Sequence, residues 1–289
     1  MNTGSPEYQA NLFAHYTEAM KGYLVTRPQD RVRGYEKDSR VAYLDKLECE
    51  MLDNPPMGCR KGLVLPGEIE QPRGVPTLKS LTLEQADIKV LSDSEAMDII
   101  ASSDRTPPDS YVTSIHFQGN VGSCAGEAAS GANQCRRSED GKDAPALNGY
   151  FPYHWSSGGS DRGSTLHDNL AVLQEYGCAS EDVFPRSKGW RSTPSDDAMQ
   201  DALNYRLPLD GVVKVNNRME FITMVLSGFP VQFGYTGHSI FCSDIVDLQR
   251  LTYVNSWGDW GNNGRGTLSF DRVYWNYGCY AVIAAREKN

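Results

Sequence analysis

The 289-residue sequence predicts an α+β protein of two lobes, and three observations carry that expectation. Segments with helical spacing of apolar residues fall mainly before residue 205. From residue 212 the spacing changes to two, as in strands that turn one face to a core. Between 102 and 110 the stretch SSDRTPPDS joins turn formers to two prolines and marks a boundary. Helices first and antiparallel strands later is the α+β order. The boundary separates an N-terminal extension, 1–105, built of an amphipathic helix and mostly irregular chain, from a main domain, 106–289.

The elements follow in order. A helix is predicted over 5–24: Ser5 suits the cap, Pro6 the first turn, and Leu12, Tyr16, Met20 and Tyr23 recur on one face. Its acidic residues and scarce Lys/Arg suit packing on the domain behind it better than a membrane surface. From Pro55 to Pro76, NPPMGCRKG, LPGE and QPRGVP predict turns and extended chain. Ser92 and Glu95 have capping-box spacing ahead of a short helix through Ile100. In the main domain a helix is expected from Ser123 or Cys124 towards Arg137. Another runs from Ser164 to Tyr176, with Leu166, Leu170 and Leu173 on one stripe and Gly177 as its stop. A short helix follows near Asp196–Tyr205, then the strand GVVKV and a helix over 218–227. In PVQFGY, residues Val231, Phe233 and Tyr235 alternate onto one face. SIFCSDIV, RLTYVN, GTLSF and CYAVIA continue as strands to the C-terminus.

Apolar residues make up 39% and charged residues 22%, the composition of a globular chain. A net charge of −9 argues against a surface that tracks nucleic-acid phosphates. No apolar run approaches the ~18 residues of a membrane span. The start, MNTGSPEYQANLF, lacks the basic and apolar regions of a secretion signal. The expectation is no nucleic acid, no membrane, and a location in the cytoplasm or inside a particle assembled there. Seven cysteines, an odd number with no CxxC pair, point to reduced thiols, and neither a metal site nor a cofactor is expected.

Chemistry is concentrated in three stretches. In FQGNVGSCAGEA, Gln118 stands six residues before Cys124, and small residues follow the cysteine. A cysteine at a helix start is either a buried apolar residue or a thiolate stabilised by free backbone N–H groups. Of the histidines, His238 in YTGHSIF enters a strand where an imidazole can face a cleft. His167 beside Asp168 suits the surface, and His116 and His154, near aromatics, suit packing. In VNSWGDWGNNGRGTLSF, Asn255 follows a strand and two tryptophans sit among glycines.

Together these motifs resemble those of the papain-like cysteine peptidases. The family's QGxxGSC matches Gln118 to Cys124, its GHA matches Gly237-His238-Ser239, and its NSWGxxWGxxG matches Asn255 to Gly264 with one residue fewer. GGSDRGSTLHDNLAVLQEYG resembles its glycine pair and second left-lobe helix, and SGFPVQFGY a right-lobe strand. The resemblance spans about residues 110–285. It implies a helical left lobe and an antiparallel, barrel-like right lobe. It also implies roles: Cys124 as nucleophile, His238 as acid/base, Asn255 orienting the imidazole, and Gln118 donating to the oxyanion with the Cys124 N–H. On the substrate side it implies Gly158 and Gly159 as the pair that receives an extended peptide, with Gly237 and Trp257 nearby, Trp257 covering the His238–Asn255 bond. A thiolate–imidazolium pair would make Cys124 reactive well below the ~8.5 pKa of a free thiol.

Two departures stand out. Ala125 replaces an aromatic residue, and Val121 replaces a disulfide-forming cysteine, so few or no disulfides are expected and none at Cys124. No prosegment pattern is visible in 1–105, so that segment is expected to run over the surface or reach a neighbour rather than through the cleft. The implied function is hydrolysis of peptide or isopeptide bonds in a peptide or protein substrate through a Cys124 acyl-enzyme. The alternative is a papain-fold component of a larger assembly, such as a phage virion, joined through 1–105 and with little or no turnover.

Overall fold

An antiparallel six-stranded sheet, in the order β1-β6-β2-β3-β4-β5, forms the body of the C-terminal lobe. Its strands are β1 (Val212–Val215), β2 (Val231–Tyr235), β3 (His238–Asp247), β4 (Arg250–Val254), β5 (Arg265–Ser269) and β6 (Cys279–Val282). The computed structural model describes residues 5–24 and 39–285, without side-chain detail for Pro6, 22–24 and 39–42, so the predicted role of Tyr23 lies outside the described residues. β2 and β3 pair from Val231↔Cys242 to Tyr235↔His238, closed by Thr236 and Gly237 at φ 34° and 73°. Positive φ at both turn residues matches the right-handed twist of a hairpin. It makes His238 the first residue of its strand. Two register shifts in β3, at Cys242/Asp244 and Ile245/Asp247, bend the sheet.

The alternation predicted for β2 is only half of what is found. All five of its residues are buried, because the second face of the sheet packs on the helical lobe. That lobe is organised by α4 (Cys124–Glu139), with α5 (Tyr150–Ser156), α6 (Leu166–Glu175) and α7 (Asp196–Leu203) around it. The small residues after Cys124 have a packing reason. A side chain at Gly126 would strike the Gly149 carbonyl, and one at Gly131 the ring of Phe241 on β3. α6 starts at a Thr165 cap whose hydroxyl accepts from the Asp168 N–H. Gly177 follows it at φ 84°.

The extension is less irregular than the sequence predicts. α1 (Pro6–Leu24) is present, and so are α2 (Ser39–Asp53), which was not foreseen, and α3 (Asp93–Ala101), with both halves of its Ser92–Glu95 capping box. Leu44, Leu47 and Met51 of α2 are buried at helical spacing, a signal the sequence does carry. α1 and α2 pack on each other and on the sheet, so Leu12, Tyr16, Met20, Leu44 and Met51 share one core with Tyr253, Trp260 and Leu268. α8 (Arg218–Leu226) closes the same core. At its centre Arg250, fully buried, meets Asp45 at 2.8 Å and Glu48 at 2.6 Å, while the Tyr16 hydroxyl donates to Glu48 at 2.8 Å. Further along, Leu81 bridges Val213 of β1, and Leu78 and Leu83 are buried. Packing therefore continues across residue 105 without a break.

Candidate active site

Cys124 is the first residue of α4 and fully buried. Burial pushes the thiol up to about 11, and the neighbouring backbone N–H groups of Ser239, Gly62 and Ala125 pull the other way. The Ser239 contact ties the sulfur to the start of β3, next to His238. The right lobe holds the helix start from below: Gln232 Nε2 donates to the Ala125 carbonyl at 2.9 Å and lies 3.1 Å from the Ser239 hydroxyl.

His238 Nε2 lies 2.8 Å from Asn255 Oδ1, which also accepts the Ser256 N–H at 2.8 Å. Two donors on one oxygen assign the Nε2–H tautomer to His238 and leave Nδ1 as the basic nitrogen. Nδ1 is buried without a hydrogen-bond partner. Trp257 stacks on the imidazole, ring centroids 4.4 Å apart at 21°, and Trp260 packs edge-on against Trp257. Burial draws His238 down to about 3; the Asn255 bond opposes this and the Lys61 charge adds to it. Cysteine and histidine are therefore both neutral in this form. Burial thus works against the ion pair implied by the resemblance while the site is dry.

Gln118 is fully buried, and its amide is oriented at both ends. The Ser256 hydroxyl donates to Oε1 at 2.6 Å, and Nε2 donates to the Val121 carbonyl at 2.8 Å and the Arg60 carbonyl at 2.6 Å. The Gln118 N–H donates to the Ser256 carbonyl at 2.9 Å, and Phe117 bridges Trp257, so the segments carrying Gln118 and Asn255 are laced together. Beneath them lies an ion cluster the sequence did not disclose. Glu127, one turn along α4 from Cys124, is held at 2.6 and 2.8 Å by Arg186 and at 2.9 Å by His116 Nδ1. Burial alone would raise this carboxyl, but Arg186 and His116 hold it at about 2. Arg186 also donates to the Phe117 carbonyl at 3.2 Å, and the Tyr150 hydroxyl donates to the Gln118 carbonyl at 2.8 Å. His116 is thus part of this support and more than a packing residue.

The cleft between the lobes is occupied by the chain itself, against the expectation that the extension avoids it. Residues 60–64 pass over Cys124, parallel to Ser164. Leu63 N–H donates to the Gly237 carbonyl at 2.8 Å, Ser164 N–H to the Gly62 carbonyl at 2.9 Å, and Val64 N–H to the Ser164 carbonyl at 3.3 Å. Gly62 is threaded between Gly122 and Gly163, where a Cβ on Gly62 would collide with Gly122 backbone. Leu63 is buried in the same cluster as Cys124. The sequence showed turns and extended chain here; backbone pairing of this kind leaves no side-chain pattern to find.

Most of the candidate residues meet, and two do not. Residues 60–64 touch Cys124, Gln118 and Gly237, and Asn255 and Trp257 meet His238 beside them. Trp257, only 3% exposed, covers His238 rather than facing a ligand. Gly158 and Gly159 instead line a surface groove with Pro72 and His154, and the strand-like pairing is made at Ser164. Gly163-Ser164, five residues beyond Gly158-Gly159, is the glycine-bearing pair that faces the cleft. His154 Nδ1 donates to the Trp190 carbonyl at 3.0 Å, and His167 lies at the surface beside Asp168. All seven cysteines are unpaired. No group of His, Cys, Asp and Glu among the described residues is arranged to hold a metal ion.

No protein-family model matches the sequence, and no curated protein matches it. Solved structures do. Xylellain, a cysteine protease from Xylella fastidiosa, is 17% identical, with a TM-score of 0.52 over 75% of this chain and 99% of that one. Digestive procathepsin L2 proteinase from Tenebrio molitor larval midgut is 14% identical, with a TM-score of 0.57 over 93% of this chain and 99% of that one. The Amb a 11 cysteine protease, a major ragweed pollen allergen, in its proform, is 17% identical, with a TM-score of 0.54 over 73% and 72%. The chain has the papain-like fold.

Proposed function

We propose that this protein is a papain-like cysteine peptidase held closed by its own residues 60–64. The observation that carries the proposal is what occupies the site. A backbone carbonyl, that of Arg60, rests on the Gln118 amide while a peptide backbone lies across Cys124 and pairs with both lobes. A cleft that holds one extended peptide in this way is built to hold others.

The chemistry follows from the open form. Once residues 60–64 leave, water reaches Cys124 and His238, the burial that keeps both neutral is relieved, and the proton moves from Sγ to Nδ1. The thiolate attacks the carbonyl carbon of the substrate. The negative oxygen that develops is met by the Gln118 Nε2–H and the Cys124 N–H; losing one such donor typically costs ~2.7–4 kcal/mol of transition-state stabilisation. His238 gives its Nδ1 proton to the leaving amine. It then takes a proton from water, whose oxygen attacks the thioester and releases the acid. Asn255 keeps the imidazole in the tautomer this requires, and Trp257 keeps water from the bond between them.

The test compares the wild type with a variant in which residues 60–64 are all replaced by serine. Hydrolysis of fluorogenic peptides by that variant, abolished by Cys124→Ala in the same background, is the expected result. Rapid alkylation of Cys124 without cleavage of any peptide in a broad substrate mixture overturns the peptidase assignment.

A further inference from the structure

We propose that Asp161 is a specificity residue that selects arginine at the position whose carbonyl rests on Gln118; the proposal deepens the peptidase assignment and rests on it. In the closed form a single residue makes both contacts. The Arg60 carbonyl lies 2.6 Å from Gln118 Nε2, and the Arg60 guanidinium lies 2.8 Å from Asp161 Oδ2 and 3.0 Å from the Asp161 carbonyl. The guanidinium fork thus spans a carboxylate oxygen and a backbone oxygen of one residue. A lysine ammonium, a point donor, has no such fork.

The carboxylate is fixed relative to the chemistry. Asp161 Oδ1 accepts the Gly122 N–H at 2.9 Å and the Tyr153 hydroxyl at 2.7 Å, and Gly122 stands two residues before Cys124. Val121, next to it, is the acceptor of the Gln118 amide. The distance from the oxyanion donor to the carboxylate is therefore set by a short chain of hydrogen bonds inside the left lobe, independent of residues 60–64. Among the described residues, the other carboxylate oxygen, Oδ2, and the Asp161 carbonyl accept hydrogen bonds only from Arg60. When residues 60–64 leave, both oxygens face the vacated cleft beside Gln118. They form an acceptor pair shaped for a guanidinium.

The experiment uses the variant with residues 60–64 replaced by serine, with Asp161 intact or changed by Asp161→Asn. The asparagine retains an oxygen to accept from Gly122 and Tyr153 while removing the charge. The substrates are peptidyl aminocoumarins that differ only in the last residue: arginine, citrulline, lysine or leucine. The measure is the ratio of kcat/KM for arginine over citrulline, its neutral isostere, which a general loosening of the site leaves alone. With Asp161 the expected ratio is roughly tenfold or more, with lysine between the two. With Asp161→Asn the ratio falls to about one. An arginine preference that survives Asp161→Asn, or its absence with Asp161 intact, overturns the assignment while leaving the peptidase itself standing. If no substrate turns over although Cys124 is alkylated, the peptidase assignment fails and this subsite falls with it.

Discussion

The substitution Gly62→Ala isolates the closure from the chemistry, since Gly62 takes no part in the proposed reaction. A Cβ there would meet the O, Cα and C atoms of Gly122, all backbone, with Gly163 on the other side. Carbon atoms settle roughly 3.5–4.0 Å apart, so residues 60–64 must retreat by on the order of 1 Å or leave. The contacts at stake are the bonds from Leu63 N–H to Gly237, Ser164 N–H to Gly62 and Val64 N–H to Ser164, at 2.8, 2.9 and 3.3 Å, and the Gln118–Arg60 bond at 2.6 Å. At a net ~1 kcal/mol each for the four bonds, with ~1–3 kcal/mol for the overlap itself, the closed form loses about 5–7 kcal/mol. That is roughly a thousandfold shift or more in the closed-to-open ratio. The assay is the alkylation rate of Cys124, followed by peptide mass against Cys279, which is fully buried and reports unfolding. In the wild type Cys124 should react only towards the high pH that its raised value of about 11 requires. In Gly62→Ala it should react at least a hundredfold faster at pH 7.5 while Cys279 stays protected. Equal Cys124 rates in the two folded proteins would show that residues 60–64 do not control access.

Three further outcomes follow from the same contacts. His238 stands at about 3 when covered and returns towards ~6.5 when wet. A basic group with a depressed value binds fewer protons closed than open, so closure is fully present above pH ~6.5 and weakens as pH falls towards 3. Hydrogen exchange at the Leu63 and Val64 amides, corrected for intrinsic rate, should therefore lose protection between pH 6.5 and 4, and constant protection would contradict the assignment. Glu127→Ala leaves the partly buried Arg186 with Glu181 as its remaining carboxylate partner and should cost about 1.5–3 kcal/mol in denaturant unfolding, whereas an effect below about 0.5 kcal/mol would mean the cluster is not a structural support. Ser256→Ala removes the hydroxyl that orients the Gln118 amide; in the serine-replaced variant it should lower kcat with little change in KM, and a pure KM effect would place Ser256 in substrate binding instead.

Side-chain chemistry was legible in the sequence and backbone chemistry was not. The strands from Val212 to Val282, the α4 start at Cys124 and the α6 stop at Gly177 follow from period, caps and glycine. Gln118, His238 and Asn255 could be singled out as candidates because their functional groups leave a spaced pattern of residue types. The path of residues 60–64 could not, since its hydrogen bonds run from peptide groups to the carbonyls and amides of Gly237 and Ser164. The same cause misplaced the glycine pair at Gly158 and Gly159. Glu127, Arg186 and His116 stand far apart in sequence, and only the fold shows that they meet under the Phe117–Gln118 turn. The α2 helix had a readable period at Leu44, Leu47 and Met51, but the turn-rich chain after it drew the whole extension towards an irregular description.

The burial of Arg250 against Asp45 and Glu48 has a consequence for how the proposed peptidase could be switched. Because α1 and α2 complete the core of the β lobe, shedding them would strand an arginine inside the protein and uncover Tyr253 and Trp260. On the proposed mechanism the helices would stay with the lobe, and the span between Asp53 and Leu78 would be the part that lifts away. It is then a latch leashed at both ends, by α2 on one side and by Leu78 and Leu83 on the other. A leashed latch acts at an effective concentration on the order of millimolar, however dilute the protein. It would reclose between turnovers, yielding to abundant or tightly held substrates and shutting out scarce ones.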